Sequence, residues 1–416
     1  MKKFLLCILI LLIGFGGYLL YDNVFKNSIP ILEIQEEDVK IDELFIYGTH
    51  LNLHGTFSQD NNLDLVLYNG EFISIKINVS NGEFNVSDKI NKGIYLDEIP
   101  RGSYYLFLRE TETADDDKKE YKYYALTNNT EYKETVYYTF SNFNNKITIG
   151  NEDSYPTMII NVTENKDNDI YDIVIDPGHG GMDSGSNKNG YKESDLTMKI
   201  ANKLKKSLEN DGYSVKLTRE DGQFTTNETF EEYGTHGRAV ISHEVHAKFL
   251  LSIHMNSNRS TNVSGLEVYT ADCINYDFAK ELVKNITTKT GLGYSSNSIN
   301  KIDNSIYTRN FTEAEILASA KEKESKKMKA YDITTKSNYY YMIRETGGIM
   351  TGAYVDGRNE SILANPYVNS NVGTESYLLE LGYLSNKNNL DNMLNKMDLY
   401  VEAITDSFKT LNITNE

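Results

Sequence analysis

Residues 172–185 read DIVIDPGHGGMDSG, and this stretch decides the fold of the second half of the chain. It opens with a short apolar run between two aspartates, which is typical of a buried strand. The glycines that follow allow a tight turn around a single imidazole, that of His179. Ligands of open α/β sheets bind beyond the carboxyl ends of the strands. The stretch therefore predicts a buried strand that presents His179 at a ligand-binding edge.

The segments that follow alternate between helix and strand patterns. Residues 194–208 place leucine and isoleucine on one helical face, and Gly212 lies just past their end. Residues 213–218 and 249–253 are strand candidates, and residues 238–245 are a helix candidate. Such alternation predicts an α/β domain over residues 170–416, with helices on both faces of a central sheet.

Two further stretches complete a set of metal-binding side chains. Glu193 stands at the start of the amphipathic helix, and His254 lies within FLLSIHMNS at residues 249–257. Two imidazoles and one carboxylate leave zinc an open position for water, as catalytic zinc requires. His179, Glu193 and His254 are therefore predicted to bind one Zn²⁺.

A fourth stretch, YLLELGYL at residues 377–384, surrounds Glu380 with apolar and aromatic residues. Such a carboxylate is costly to bury unless it has a partner or a task. One interpretation is a general base that takes the proton of a metal-bound water, and the alternative is a structural pair with a buried Arg344.

Taken together, these stretches resemble the zinc-dependent N-acetylmuramoyl-L-alanine amidases of bacterial cell-wall hydrolases and spore germination. The resemblance covers about residues 171–412 and includes residues 174–185, 217–219, 238–241, 249–257, 341–344 and 379–386. It implies a six-stranded sheet with helices on both faces, zinc on the three predicted ligands and Glu380 as the catalytic acid/base. The implied reaction is hydrolysis of the amide between N-acetylmuramic acid and L-alanine in peptidoglycan. Arg344, Asn256 and Arg238 lie in matching stretches, and we expect them to support the substrate.

Other readings stay open. The same scaffold suits a non-catalytic or self-inhibited wall-binding or regulatory protein, and the same metal suits a zinc peptidase acting on stem peptides. His243 and His246 stand three positions apart and form an alternative metal pair without an obvious third ligand. The long span between His254 and Glu380 predicts an insertion over about residues 295–375, which is either a solvated surface element or a lid over the cleft.

The N-terminal part predicts a membrane-held protein with an all-β domain. A basic start and an uncharged run predict an uncleaved single-pass anchor over residues 1–21, with the body on the cell-wall side. A cleaved signal peptide is the alternative, although the residues after Gly17 make a poor cleavage site. A stalk is predicted over residues 22–40. Short strand patterns and an Asn-Gly turn predict a β-sandwich-like domain over residues 41–165, a spacer or a contact for the wall or a protein activator. The net charge of -18 argues against nucleic acid as a partner.

Overall fold

The structure is a computed structural model that describes twelve ranges of the chain: residues 34–57, 63–80, 82–86, 93–113, 119–128, 135–151, 157–181, 183–220, 238–271, 276–325, 333–346 and 373–411. The predicted anchor over residues 1–21 and the first part of the predicted stalk lie outside them. Among the helices described, none has the length and apolar character needed to span a bilayer.

The N-terminal domain is all-β, as predicted. Its strands are β1 (Ile34–Tyr47), β2 (His50–Thr56), β3 (Leu63–Tyr68), β4 (Phe72–Lys76), β5 (Asn78–Ser80), β6 (Glu83–Asn85), β7 (Ile94–Tyr95), β8 (Gly102–Thr113), β9 (Lys119–Asn128), β10 (Thr135–Tyr138), β11 (Asn145–Asn151) and β12 (Met158–Glu164). The predicted hairpin around Asn69 and Gly70 is present, because Tyr68 pairs with Phe72.

Two details of this domain differ from the prediction. Strand β1 begins at Ile34 and pairs with β2 and β9, so residues 34–40 belong to the sheet rather than to a stalk. All twelve strands also join into one sheet instead of two. The reason is the length of β8, which pairs with β12 near its start, with β9 near its end and with β3 on its other edge. The apolar faces of these strands enclose one shared core.

The C-terminal domain is the predicted α/β domain. Its strands are β13 (Ile173–Pro177), β14 (Asn187–Lys188), β15 (Tyr191–Lys192), β16 (Val215–Leu217), β17 (Phe249–Asn256), β18 (Glu267–Thr270), β19 (Lys301–Asp303), β20 (Ile306–Tyr307) and β21 (Glu375–Tyr383). Its helices are α1 (Glu193–Asn210), α2 (Arg238–Glu244), α3 (Asp277–Thr290), α4 (Glu313–Ser325), α5 (Tyr341–Thr346) and α6 (Lys387–Lys409).

The central sheet has the order β16-β13-β17-β21-β18-β20-β19. The four strands β16, β13, β17 and β21 run parallel, and β18 runs antiparallel to β21. Helices α1, α3 and α6 cover one face, and α2 and α5 cover the other. The sheet has seven strands, one more than the resemblance implies, and two of them, β19 and β20, lie within the predicted insertion.

The described part of the predicted insertion forms β19, β20, α4 and α5. Strands β19 and β20 lie at the sheet edge, and α5 packs on a sheet face. Residues 326–332 and 347–372 lie outside the described ranges. The question of a lid is untested by these elements and stays a prediction.

The two domains share a buried interface. Phe140 of the β domain packs within the core of the α/β domain, where its ring stacks on Phe249 at 6.2 Å between centroids. The same interface buries three charged side chains, Asp97, Asp172 and Lys248, which we call the interdomain charge cluster. Asp97 accepts a hydrogen bond of 2.7 Å from the hydroxyl of Tyr137. The β domain is therefore packed against the α/β domain rather than connected to it by a linker alone.

Candidate active site

The turn after β13 presents His179 at the carboxyl edge of the sheet. His179 has a φ of 60°, a left-handed conformation that is uncommon for a residue with a side chain. Only glycine fits on either side of it in space, since a Cβ on Gly178 would collide with the ring of His254, and one on Gly185 would collide with His179 and Glu193. The glycines of this turn therefore allow three functional side chains to approach one another.

Glu193 and the two imidazoles converge on one point. One ligand atom from each of His179, Glu193 and His254 lies within 4.8 Å of the others. The Oε1 atom of Glu193 is 3.1 Å from Nε2 of His179 and 3.1 Å from Nδ1 of His254. Two nitrogens and one carboxylate oxygen at such spacing fit the donor set of a catalytic zinc site, so the structure brings the three predicted ligands together.

Asp183 orients the ring of His179 through the ring nitrogen that does not face Glu193. Its Oδ2 atom is hydrogen-bonded to Nδ1 of His179, which leaves Nε2 directed toward Glu193. Its Oδ1 atom accepts a hydrogen bond of 2.7 Å from the backbone N–H of Gly185. A carboxylate on the far nitrogen is the usual way to orient a metal-binding imidazole. Sequence reasoning missed Asp183, although its position four residues after His179 in the same turn was a usable signal.

The pKa values in this cluster reflect mutual stabilisation of opposite charges. Burial disfavours the charged imidazole of His179, but Glu193 and Asp183 outweigh burial and raise the pKa of His179 to about 9. Burial also disfavours the ionised form of Glu193, yet hydrogen bonds with the two imidazoles hold the pKa of this carboxyl well below its ordinary value. The cluster therefore keeps its carboxylate ionised, the form that binds a metal ion.

Another carboxylate, that of Asp176 in β13, stabilises the turn. It is fully buried and accepts hydrogen bonds of 2.6 Å from the hydroxyls of Thr218 and Ser252. Burial opposes its ionisation, but Arg238 and these hydroxyls hold the pKa of Asp176 below its ordinary value. Arg238 also donates a hydrogen bond of 2.8 Å to the carbonyl of His179. Arg238 thus lines the cleft and fixes the backbone that carries the first imidazole.

Glu380 faces the same space from the neighbouring strand. In the strand register it stands opposite His254 on one side and Glu267 on the other. Burial and the negative charges of Glu193 and Glu267 raise the pKa of Glu380 well above its ordinary value. Its Oε2 atom is buried and has no hydrogen-bond partner among the described residues. A carboxyl with high proton affinity and an unused oxygen beside the cluster can accept a proton from a molecule bound there.

These groups border one cleft of about 400 Å³. Its walls consist of His179, Asp183, Glu193, Arg238, His254, Met255, Asn256, Ser257, Tyr340, Tyr341, Met342, Leu378 and Glu380. Of the described part of the insertion, residues 340–342 belong to this lining, and the described residues of α4 do not. The cleft is large enough for a short peptide or a sugar unit with its substituent.

Of the three expected support residues, Asn256 and Arg238 line the cleft, and Arg344 does not. The Arg344 guanidinium instead donates to Oε1 of Glu345 at 2.6 Å and to the carbonyls of Asn338 and Tyr339 at 3.0 Å. The expectation that Arg344 supports the substrate, and the alternative that it pairs with Glu380, are therefore wrong. Its donors are already used to hold the segment that leads into α5.

The alternative pair of histidines does not form a site. His243 is fully buried, and its Nε2 atom lies 2.5 Å from the carbonyl of Glu345. Burial lowers the pKa of His243 to about 4. His246 turns the other way and packs against the ring of Tyr138 at 4.9 Å between centroids. Among the described residues, the one group with the spacing of a metal site is His179, Glu193 and His254.

Comparison with known proteins identifies the family of the C-terminal domain. The family model for N-acetylmuramoyl-L-alanine amidase matches residues 173–409, more than half of the chain. A protein of Staphylococcus aureus named probable cell wall amidase LytH is 37% identical over 100 residues, which are 23% of this chain and 30% of the relative. The aligned part thus spans about a third of the relative's length.

Solved structures that align with this chain include the following two amidases. The N-acetylmuramoyl-L-alanine amidase AmiC2 of Nostoc punctiforme aligns with a TM-score of 0.37 at 25% identity, over 58% of this chain and 97% of that chain. The catalytic domain of CwlV, an N-acetylmuramoyl-L-alanine amidase from Bacillus (Paenibacillus) polymyxa var. colistinus, aligns with a TM-score of 0.38 at 21% identity. That alignment covers 59% of this chain and all of the other.

Proposed function

This chain belongs to the N-acetylmuramoyl-L-alanine amidase family, and from that premise we propose that it hydrolyses the amide between N-acetylmuramic acid and L-alanine in peptidoglycan with one bound Zn²⁺. The observation that supports this proposal is the convergence of three metal-binding side chains and an unpaired carboxyl on one cleft. His179, Glu193 and His254 would hold the metal. Zinc bound there supplies Lewis acidity toward a carbonyl oxygen and lowers the pKa of a bound water to near neutrality.

The residues of the chain account for the proton transfers. Glu380 accepts a proton from the attacking water as the oxygen–carbon bond forms at the lactyl carbonyl. It then donates that proton to the alanine nitrogen as the carbon–nitrogen bond breaks. The products are a free lactyl carboxylic acid on the sugar and a stem peptide with a free N-terminal amine. The high proton affinity of Glu380 suits both steps, because the group must take up and return one proton.

Mass spectrometry of digested peptidoglycan tests the proposed reaction. The purified full chain, loaded with Zn²⁺, is incubated with cell-wall sacculi, and the released fragments are identified by mass and by labelling of free amines. We expect stem peptides that begin with L-alanine and glycan strands that stay intact. Cleavage within the stem would instead assign a zinc peptidase, and no release at all would assign a non-catalytic or self-inhibited scaffold.

We further propose that residues 1–21 anchor the chain in the cell membrane and that the body lies on the wall side. The basic start followed by an uncharged run supports this, as does the location of the proposed substrate. Fractionation with an antibody against the C-terminal domain should find the chain in the membrane fraction and sensitive to protease added to spheroplasts. A mature protein whose N-terminus begins near residue 20 would contradict an uncleaved anchor.

A contact between the β domain and the wall or a protein activator is a separate proposal. Co-sedimentation of the full chain with insoluble peptidoglycan tests the wall contact, and cross-linking in cells tests the protein contact. If surface substitutions on the β domain leave both unchanged, the domain serves as a spacer.

A further inference from the structure

A further carboxylate, Glu267, lies next to the proposed active site, opposite Glu380 in the strand register. It opens β18 and is fully buried. Its Oε1 atom accepts hydrogen bonds of 2.6 Å from the hydroxyl of Ser295 and 2.5 Å from that of Tyr383. Its Oε2 atom accepts one of 2.7 Å from the hydroxyl of Tyr269. A side chain held by donors from its own strand and from two other segments is fixed in position.

The fourth donor to Glu267 comes from a residue of the cleft. The Nδ2 atom of Asn256 donates to Oε2 of Glu267 at 3.0 Å. The Oδ1 atom of the same amide accepts a hydrogen bond of 2.7 Å from the backbone N–H of Ser257. Asn256 lines the cleft two residues after His254. Both ends of this amide are therefore held, and the pair connects the buried carboxylate to the place where a substrate would bind.

The chemistry of Glu267 fixes which way the amide faces. All of its hydrogen-bond partners are donors, so the carboxylate acts only as an acceptor. Turning the Asn256 amide by 180° would place its oxygen against Oε2 and its nitrogen against the Ser257 N–H, and both contacts would become repulsive. The amide nitrogen of Asn256 carries two hydrogens, and one of them is bonded to Glu267. Because Asn256 lines the cleft, the second hydrogen can donate to a molecule bound there.

We propose that Glu267 is a positioning residue that fixes the Asn256 amide so that its second N–H donates to a carbonyl oxygen of the substrate. This inference rests on the proposed function and adds a hydrogen-bond donor to the groups that recognise the acyl side of the scissile amide. A donor placed in advance at that oxygen stabilises the charge that develops there during attack. Burying the carboxylate of Glu267 next to Glu380 costs free energy of folding, and a positioning role would explain why it is present there.

A set of three variants tests the inference. In Glu267→Gln, an NH2 group replaces one of the two acceptor oxygens, so the orientation of the Asn256 amide is no longer fixed. We expect kcat to fall about 10- to 100-fold with little change in KM and with zinc content retained, since loss of one such donor costs about 10²–10³ in kcat at most. Asn256→Ala removes the donor itself and should lower kcat at least as much. Their combination should be no worse than Asn256→Ala alone, because both changes remove the same hydrogen bond.

The decisive variant is the exchanged pair Asn256→Asp/Glu267→Gln. The amide of residue 267 can donate to the carboxylate of residue 256, so the hydrogen bond is restored with its polarity reversed. We expect Tm to recover relative to Glu267→Gln, whereas kcat stays low because residue 256 no longer has an N–H to donate. Recovery of kcat together with Tm would show that Glu267 has a structural role only, and would overturn the proposal.

Two controls separate the alternatives. Ser295→Ala removes one donor to Glu267 but keeps the contact with Asn256, so we expect kcat within about threefold of the wild type. If Glu267→Gln does not fold, Asn256→Ala still decides, because full kcat in that variant overturns the proposal. A wild-type chain that releases no stem peptide would contradict the proposed function itself. An active wild type with an equally active Glu267→Gln would contradict only the role of Glu267.

Discussion

Two clusters of buried ionisable side chains stand out among the described residues, and they differ in where their unused polar atoms lie. In the interdomain charge cluster, the ammonium of Lys248 is buried with two carboxylates, those of Asp97 and Asp172. Asp172 is saturated with donors: the backbone N–H and hydroxyl of Ser141 and those of Ser214. One ammonium thus faces two carboxylates, whose hydrogen bonds come from backbone and hydroxyl donors. The Nζ atom of Lys248 has no hydrogen-bond partner among the described residues and lies 5.5 Å from the centre of the Tyr137 ring.

In the cleft cluster, the unused atom belongs to a residue of the cleft lining. Glu193, Glu267 and Glu380 are three carboxylates close together, and the described lining of the cleft adds two imidazoles and the guanidinium of Arg238. Glu380 keeps one oxygen without a hydrogen-bond partner among the described residues. Burial alone therefore does not distinguish a functional cluster from a structural one. The distinguishing feature is an unused polar atom on a residue that lines a cleft.

The largest expected effect follows from breaking the cleft cluster at a metal ligand. His254→Ala should lose the metal and all measurable amidase activity, because two remaining ligands do not hold zinc in place. Zinc per chain is measured by atomic spectroscopy after dialysis. His243→Ala, which removes a histidine outside the cleft, should keep its zinc and serves as the matched control. Normal zinc content in His254→Ala would contradict the ligand assignment.

A smaller but more specific effect comes from the unpaired carboxyl. Glu380→Gln should keep about one zinc per chain while kcat falls about 10²- to 10⁴-fold, the usual range for loss of a general acid/base. Glu375→Gln in the same strand is the matched control, since Glu375 is buried outside the cleft and burial raises its pKa to about 8. It should stay active. Equal activity of both variants would rule out proton transfer by Glu380.

Breaking the interdomain cluster should change stability and leave chemistry alone. Lys248→Met buries two carboxylates without their positive partner, which costs about 3–5 kcal/mol in comparable pairs. Urea unfolding at pH 7.5 measures the loss, and kcat of the folded fraction should equal that of the wild type. Lys280→Met, on the exposed side of α3, should cost less than about 0.5 kcal/mol. A Lys248→Met chain as stable as the wild type would mean that this cluster is not held by charge.

The smallest effect is a pH dependence that the same cluster imposes. Burial raises the pKa of Asp97 from 3.8 to about 6, against the opposing influence of Lys248. The unfolded chain releases this proton first as pH rises, so the folded state loses stability between about pH 4 and pH 6. The loss amounts to about 3 kcal/mol for this one group.

Asp97→Asn removes this titrating group, so a comparison with the wild type isolates its contribution to stability. Urea midpoints of the wild type and the variant are compared from pH 4 to pH 7, so that other titrating groups cancel. The stability difference should shift in favour of the variant as pH rises through this range. A difference that stays constant with pH would contradict the raised pKa.

The sequence predicts the active site better than it predicts the rest of the chain, for a physical reason. His179, Glu193, His254 and Glu380 each stand at or near the end of an element whose apolar pattern is local, so their meeting at one sheet edge follows from topology. Arg344 was placed wrongly because its partners are the adjacent Glu345 and two backbone carbonyls, and carbonyl contacts cannot be recognised from residue types. The importance of Glu267 depends on a strand register opposite Glu380 that no local pattern encodes.

Long-range pairing explains the other differences. Residues 34–40 were expected to form a stalk, but they gain hydrogen bonds from β9, about 90 residues away in the chain. The interdomain charge cluster likewise joins Asp97 of one domain to Asp172 and Lys248 of the other. Contacts of this kind are decided by how two domains pack, and no single segment contains the signal.

Anomalous X-ray scattering at the zinc absorption edge tests most directly whether the cleft cluster binds zinc. Crystals of the full chain grown with Zn²⁺ should show one strong peak among His179, Glu193 and His254, about 2.0–2.2 Å from each ligand atom. Native crystals of Glu380→Gln should keep the same peak. An absent peak, or one at His243 and His246, would contradict the account.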